Sequence, residues 1–213
     1  HRELILPQLA GPGVSAHLVK KSSGFKVIYG PIRAENLPAF LDAGFKATPE
    51  MRLKTFTTKE RVVLIPVELV GAFKVALIAS PIILLIDSLL GEGAFWTNGL
   101  SHGLYSVLAI LTAILAGAVL SPILLPWLPG RAFSFKGLFI GVLVTLAFVA
   151  FRWSHWEAWS VRLEIMRWFL LIPAISSYLA MNFTGASTYT SLSGVRNEMR
   201  LAVPFQIGAG ILG

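Results

Sequence analysis

The sequence predicts a short α/β piece followed by an all-α transmembrane bundle of four to five helices. Three observations carry that expectation. Hydrophobic residues make up 55% of the 213 and charged ones only 14%, where a soluble globular domain carries about 25% charged residues. The charge is also uneven, because residues 1–61 hold ten of the 18 Lys/Arg and five of the 11 Asp/Glu. Finally, short apolar runs alternate with helical ones at the start, the pattern of a parallel sheet, before long apolar runs take over.

The first strand is expected at 3–8, bounded by the turn-rich segment 9–13. Residues 14–22 suit a helix, with Val14 and Leu18 on one side, Lys20 and Lys21 near its end, and Gly24 closing it. A second strand follows at 25–29 and is broken by Gly30 and Pro31. A second helix is expected at 36–43, with Pro38 in its first turn and Gly44 just past its end. Two strands bury little core, so the rest of such a sheet is expected upstream of His1. Residues 1–45 therefore read as the C-terminal part of an α/β domain, and 46–61 as a basic juxtamembrane linker with Arg52, Lys54, Lys59 and Arg61.

Residues 62–213 form the expected membrane domain. Spans are expected at about 62–90, 104–128, 135–151 and 163–183, with 203–213 beginning a fifth; crossing hydrocarbon takes roughly 20 apolar residues. The first part of 62–90, with Pro66, Glu68 and Lys74, could instead lie along the interface. Residues 91–103 hold no Lys or Arg, whereas 52–61 hold four, 129–136 two and 194–200 two. The excess of positive charge on cytosolic loops then places residues 1–61, the 129–136 loop and the 184–200 loop in the cytosol. The expected location is the cell inner membrane, multi-pass, with the N-terminal part cytoplasmic. Arg152 and Arg162 run against this pattern in the external loop, and Trp153, Trp156 and Trp159 there suit an interfacial aromatic belt.

Composition also excludes. The net charge of +7 and pI near 10.0 do not point to nucleic acid, because the basic residues form no run interleaved with aromatics. There is no cysteine, which removes disulfides, zinc–thiolate sites and a cysteine nucleophile. His1, His17, His102 and His155 have no metal-ligand spacing, so no metal site and no catalytic residue is assigned. Residues 1–6 read as a strand rather than a signal peptide, and both ends of the chain read as cut.

Two loops are candidates for binding. Residues 9–14, Leu-Ala-Gly-Pro-Gly-Val, lie between a strand and a helix, where open parallel sheets bind ligands and glycines let the backbone approach. The helix that follows would aim its N–H groups at a phosphate or other polar group. Residues 29–33, Tyr-Gly-Pro-Ile-Arg, occupy the equivalent position after the next strand. Two ordinary tight turns fit the same residues. The polar segment 184–200 could grip an anion or a partner, but its spacing favours a solvated connector in which Ser193 caps a short helix. Glu68, Lys74, Asp87, Glu164 and Arg167 lie in or near apolar spans, where ionisable groups are costly and mark function by default. Structural reasons are favoured at each: Lys74 can snorkel, Asp87 is near a span end, and Glu164 and Arg167 can pair at i,i+3 on one helix. Two sets of small residues, Gly71, Ala72, Ala76 and Ala79, then Ala113, Gly117 and Ser121, have spacings that let helices pack closely.

Several strings resemble the mercury-methylating corrinoid membrane protein, the HgcA family. They are Leu-Pro-Gln-Leu-Ala-Gly-Pro-Gly-Val-Ser-Ala-His (6–17), Val-Ile-Tyr-Gly-Pro-Ile-Arg-Ala (27–34), Leu-Pro-Ala-Phe-Leu-Asp-Ala-Gly (37–44), Lys-Ala-Thr-Pro-Glu-Met-Arg (46–52) and Asn-Phe-Thr-Gly-Ala-Ser-Thr-Tyr-Thr-Ser-Leu-Ser-Gly-Val-Arg (182–196). They fall in the family's order along nearly the whole chain. The soluble part is also similar to the large subunit of the corrinoid iron–sulfur protein of acetyl-CoA metabolism. The resemblance implies a Rossmann-like α/β domain holding a corrinoid (cobalamin), a cap-helix cysteine as lower cobalt ligand, and methylation of Hg(II) to methylmercury. It implies as partner a ferredoxin-type protein with two four-iron clusters that returns the cobalt to its reduced state. The cap-helix motif Asn-(Val/Ile)-Trp-Cys-Ala-Ala-Gly-Lys is absent from these residues, so the chain reads as a fragment, inactive alone. The residues expected to face the corrinoid are Gly11, Gly13, Val14, Tyr29 and Gly30. Two other readings stay open: a corrinoid methyltransferase with another acceptor, and a transporter or channel with a regulatory soluble piece. Against the latter, no span has an inverted-repeat partner.

Overall fold

The computed structural model describes residues 2–90, 94–152, 159–186 and 192–213. The chain divides into two compact units, His1–Thr55 and Phe56–Gly213.

In the first unit, strands β1 (Glu3–Pro7) and β2 (Lys26–Gly30) pair in parallel, from Glu3 opposite Lys26 to Pro7 opposite Gly30. Helix α1 (Ala16–Ser23) connects them. It starts two residues later than expected, and Gly24, at φ 75°, closes it by giving its N–H to the Lys20 carbonyl. The left-handed angle is why glycine stands there. Helix α2 (Leu37–Asp42) brings Phe40 down onto the strands, where it is 1% exposed and meets Phe45 edge to face. Phe40 is the buried hydrophobic side chain of this unit among the described residues; Leu4, Leu9, Leu18 and Phe25 stay exposed. What is observed is thus a two-stranded βαβ piece.

The second unit is helical. Helix α3 (Thr58–Leu90) opens four residues before the expected span. A capping box sets its start: the Thr57 N–H donates to Glu60 Oε2 at 2.8 Å, and the Glu60 N–H to Thr57 Oγ1 at 3.4 Å. Helix α4 covers Phe95–Leu124, well before the expected residue 104, because Gly99–Gly103 continues the helix as a π turn instead of forming a loop. A second π turn spans Leu115–Leu120. Helices α5 (Phe133–Arg152) and α6 (Trp159–Asn182) lie close to their expected spans. Helix α7 (Leu192–Leu212) takes in most of what reads as a polar connector, so Ser193 lies inside a long helix. The belt expected from Trp153 and Trp156, and residues 187–191 of the polar segment, lie outside the described residues.

Among the described residues, four helices are long and apolar enough to cross a membrane: Thr58–Leu89, Phe95–Leu124, Phe133–Phe151 and Val161–Asn182. The first is peripheral, with 6% of its most apolar stretch buried against 50% for the second and fourth. Ala109 and Ala113 of α4 pack on Trp168 and Ile172 of α6 at the centre. Small residues set the spacing: a Cβ on Gly137 of α5 would stand 2.5 Å from Ala180 Cβ and 2.6 Å from the Ser176 carbonyl oxygen of α6. A Cβ on Gly117 of α4 would meet the same carbonyl at 2.7 Å. Ala113, Gly117 and Ser121 are buried as expected for packing, as is Ala76. Gly71 departs from that expectation, since nothing lies within 4 Å of its Cβ position.

Candidate functional site

The carboxyl ends of β1 and β2 are brought side by side by their register, Leu6 opposite Tyr29. After β1 the chain makes a tight turn: Gly11 N–H donates to the Gln8 carbonyl at 3.1 Å, and Gly13 and Val14 N–H donate to the Ala10 carbonyl at 3.0 and 2.9 Å. The Tyr29 hydroxyl, at the end of β2, donates to the Val14 carbonyl and ties the two strand-end loops together. Gly11, Gly13, Val14 and Tyr29 therefore share one edge.

The reasons for the glycines differ. A Cβ on Gly13 would meet only the Ala10 oxygen, at 3.9 Å, so the face over Gly13 is open to an approaching group. At Gly11 the Gln8 oxygen stands at 3.2 Å and the Tyr29 ring at 3.9 Å. Gly30 is buried, and its Cβ would meet Ile5 Cγ2 at 3.1 Å and Phe40 Cε1 at 3.5 Å. Its missing side chain admits Phe40, a packing reason that the string Tyr-Gly-Pro does not disclose. Helix α1 begins after Ser15, whose Oγ lies 2.8 Å from His17 Nδ1; this places Val14 before the helix rather than on it.

A second polar locus lies within the helical unit. Asp87 of α3 is paired with Arg167 of α6 at 3.0 Å, and the other guanidinium nitrogen donates to Ser106 Oγ of α4 at 2.8 Å. The Ser106 hydroxyl in turn donates to Asp87. One turn along α6, Glu164 lies 3.1 Å from His102 Nδ1 of α4. Spacing along α6 suggests a Glu164–Arg167 pair, but both residues reach across to other helices. Asp87, Ser106 and Glu164 are buried, Arg167 and His102 are partly exposed, and the cluster clamps three helices. Glu68 accepts from Asn182 Nδ2 at 2.8 Å, a further α3–α6 tie, while Lys74 is exposed midway along α3. No group of three or more metal-ligating side chains occurs among the described residues.

Comparison with protein-family models, with curated proteins and with solved structures gives no match.

Proposed function

We propose that the chain belongs to a membrane-anchored, corrinoid-dependent methyltransferase whose methyl acceptor is Hg(II). The observation that supports this reading most is the sequence itself: five long strings resemble the HgcA family in the family's order. Two of them contribute the strand-end loops that Tyr29 and Val14 join.

The residues fit the rim of a corrinoid site rather than its metal. Gly13 leaves backbone open to a flat ring, Gly11 keeps the turn tight, and Tyr29 holds the Val14 backbone in place. Gly11, Gly13, Val14 and Tyr29 would hold the edge of the group, with Gly30 closing the strand end behind them. The chain has no cysteine, so a thiolate cobalt ligand is not among these residues. The bound corrinoid supplies the chemistry, a methyl group transferable to a soft metal ion, while the protein binds and orients it. The helical unit supplies attachment to the membrane, with the corrinoid-binding part on the cytosolic side and a ferredoxin-type four-iron protein as electron donor.

The test uses the intact gene product, expressed anaerobically and supplied with methylcobalamin, reductant and Hg(II). Methylmercury is the expected product, and the 213 residues alone are expected to form none. Gly13→Trp in the intact protein is expected to reduce bound cobalamin at least about tenfold, by absorbance. Cobalamin retention equal to wild type would remove Gly13 from the site. Bound cobalamin with no methylmercury, but with methylation of another metal or metalloid, would keep the corrinoid and replace the acceptor.

A further inference from the structure

At the α4–α5 turn, two prolines and two cations are arranged around two carbonyls. In an α-helix the carbonyls of residues 122 and 125 would accept from the N–H groups of residues 126 and 129. Both of those are proline, Pro126 and Pro129, and have no N–H to give. Cations take their place. Arg61 Nε donates to the Pro122 carbonyl at 2.7 Å, and Lys136 Nζ donates to the Leu125 carbonyl at 2.7 Å. Arg61 is 2% exposed, and its other hydrogen bonds go to the Phe56 carbonyl at 2.6 Å and Thr58 Oγ1 at 2.8 Å. All three acceptors are neutral, so among the described residues a buried positive charge stands here without a carboxylate bonded to it.

Beside it is a cleft of about 440 Å³ lined by Leu125, Pro126, Gly130, Arg131, Phe133 and Lys136. Its charged lining residues are both cations, and Arg131 is exposed. Gly130, at φ 85°, shapes the turn, and a Cβ there would strike the Phe135 ring at 2.7 Å. The nearby carboxylate of Glu198 accepts from the Ser134 N–H at 2.6 Å and lines a different cavity, between α5, α6 and α7. Trp127, in the same turn, is 74% exposed, and an exposed tryptophan at a span end marks the depth of lipid headgroups.

We infer that this cleft binds the phosphate of an anionic phospholipid, with Arg131 and Lys136 on the phosphate. Basic pockets at the cytosolic ends of transmembrane helices are suited to such headgroups. The inference rests on the four helices crossing a membrane and is independent of the corrinoid reading, since it involves the helical unit alone.

The experiment is native mass spectrometry of the full chain in detergent with phosphatidylglycerol or phosphatidylcholine added. Phosphatidylglycerol is expected to be retained preferentially. Each lost cation is expected to weaken retention about fivefold, so Arg131→Gln costs about fivefold and Arg131→Gln with Lys136→Gln about 25-fold. Arg131 makes no hydrogen bond on which the turn depends, so the single variant reports binding even where Lys136→Gln disturbs folding. Arg196→Gln with Arg200→Gln, on the exposed face of α7, is expected to leave retention unchanged. Equal retention of the two lipids, or equal loss from the α7 variant, would overturn the inference. So would millimolar inorganic phosphate displacing the lipid completely, because the acyl chains would then add nothing.

Discussion

In the N-terminal unit the glycines at helix ends set backbone angles, whereas in the helical unit the glycines of α4 and α5 that face α6 set the distance between helices. Gly24 and Gly44 have φ of 75° and 65°, and a Cβ on either would meet nothing within 4 Å. Gly117, Gly137 and Gly141 sit in ordinary helical backbone, yet a Cβ on each would come within 2.5–2.7 Å of α6. The difference follows from the two surroundings. In water, burying Phe40 gains from the hydrophobic effect, and glycine serves mainly where the chain must turn, although Gly30 also admits the Phe40 ring. Between apolar helices in lipid that gain is absent, so close van der Waals contact and buried polar pairs hold the bundle.

The sharpest way to break the comparison is to remove a polar pair from the helical unit. Asp87→Ala leaves the Arg167 guanidinium without its carboxylate, with an expected loss of about 3–5 kcal/mol in unfolding from mixed micelles. Asp87→Leu with Arg167→Met is expected to recover most of it; failure of the double variant to recover would mean that the pair does more than balance itself. Next comes Gly137→Ala, expected to lose about 1–3 kcal/mol because α5 must move off α6. A smaller effect is expected in the other unit, where Tyr29→Phe removes the tie to the Val14 carbonyl at about 1 kcal/mol. Hydrogen exchange of residues 9–15 should rise in that variant while the helical unit stays unchanged. Smallest of all is Gly71→Ala. With open space at the Cβ position it is expected to be neutral or to stabilise by up to about 1 kcal/mol through helix propensity, and a loss equal to that of Gly137→Ala would erase the distinction drawn within α3 and α5.

Much of this architecture was legible because apolar length is a strong signal. The spans of α5 and α6 lie within a few residues of their expected limits. The boundaries that moved did so for local reasons. The Thr57–Glu60 capping box is written in the sequence as Thr-x-x-Glu and starts α3 before the apolar run does. Gly99–Gly103 looks like a loop by composition, but the two glycines let α4 pass Ser88 and Leu84 of α3, where a Cβ on Gly99 would meet Ser88 Oγ at 2.6 Å. Partners across helices were not legible at all. Spacing reports neighbours on one helix, so Glu164 and Arg167 read as a pair, while Asp87 and His102 lie 80 and 62 residues from their actual partners. At the strand edge, the meeting of Gly11, Gly13, Val14 and Tyr29 followed from reading the strands as parallel. Gly30 was misleading because a glycine that admits a ring from below and one that admits a ligand from above look the same as letters.

The π turn at Leu115–Leu120 is in effect a one-residue insertion that α4 has absorbed. Deleting any one of those residues would restore a regular helix and turn everything beyond it by about 100° while drawing it back about 1.5 Å. The Pro122 carbonyl would then swing away from Arg61, which stands on α3. Chain length in that stretch is therefore a constraint of its own, and gaps there should be tolerated less well than exchanges of one apolar residue for another.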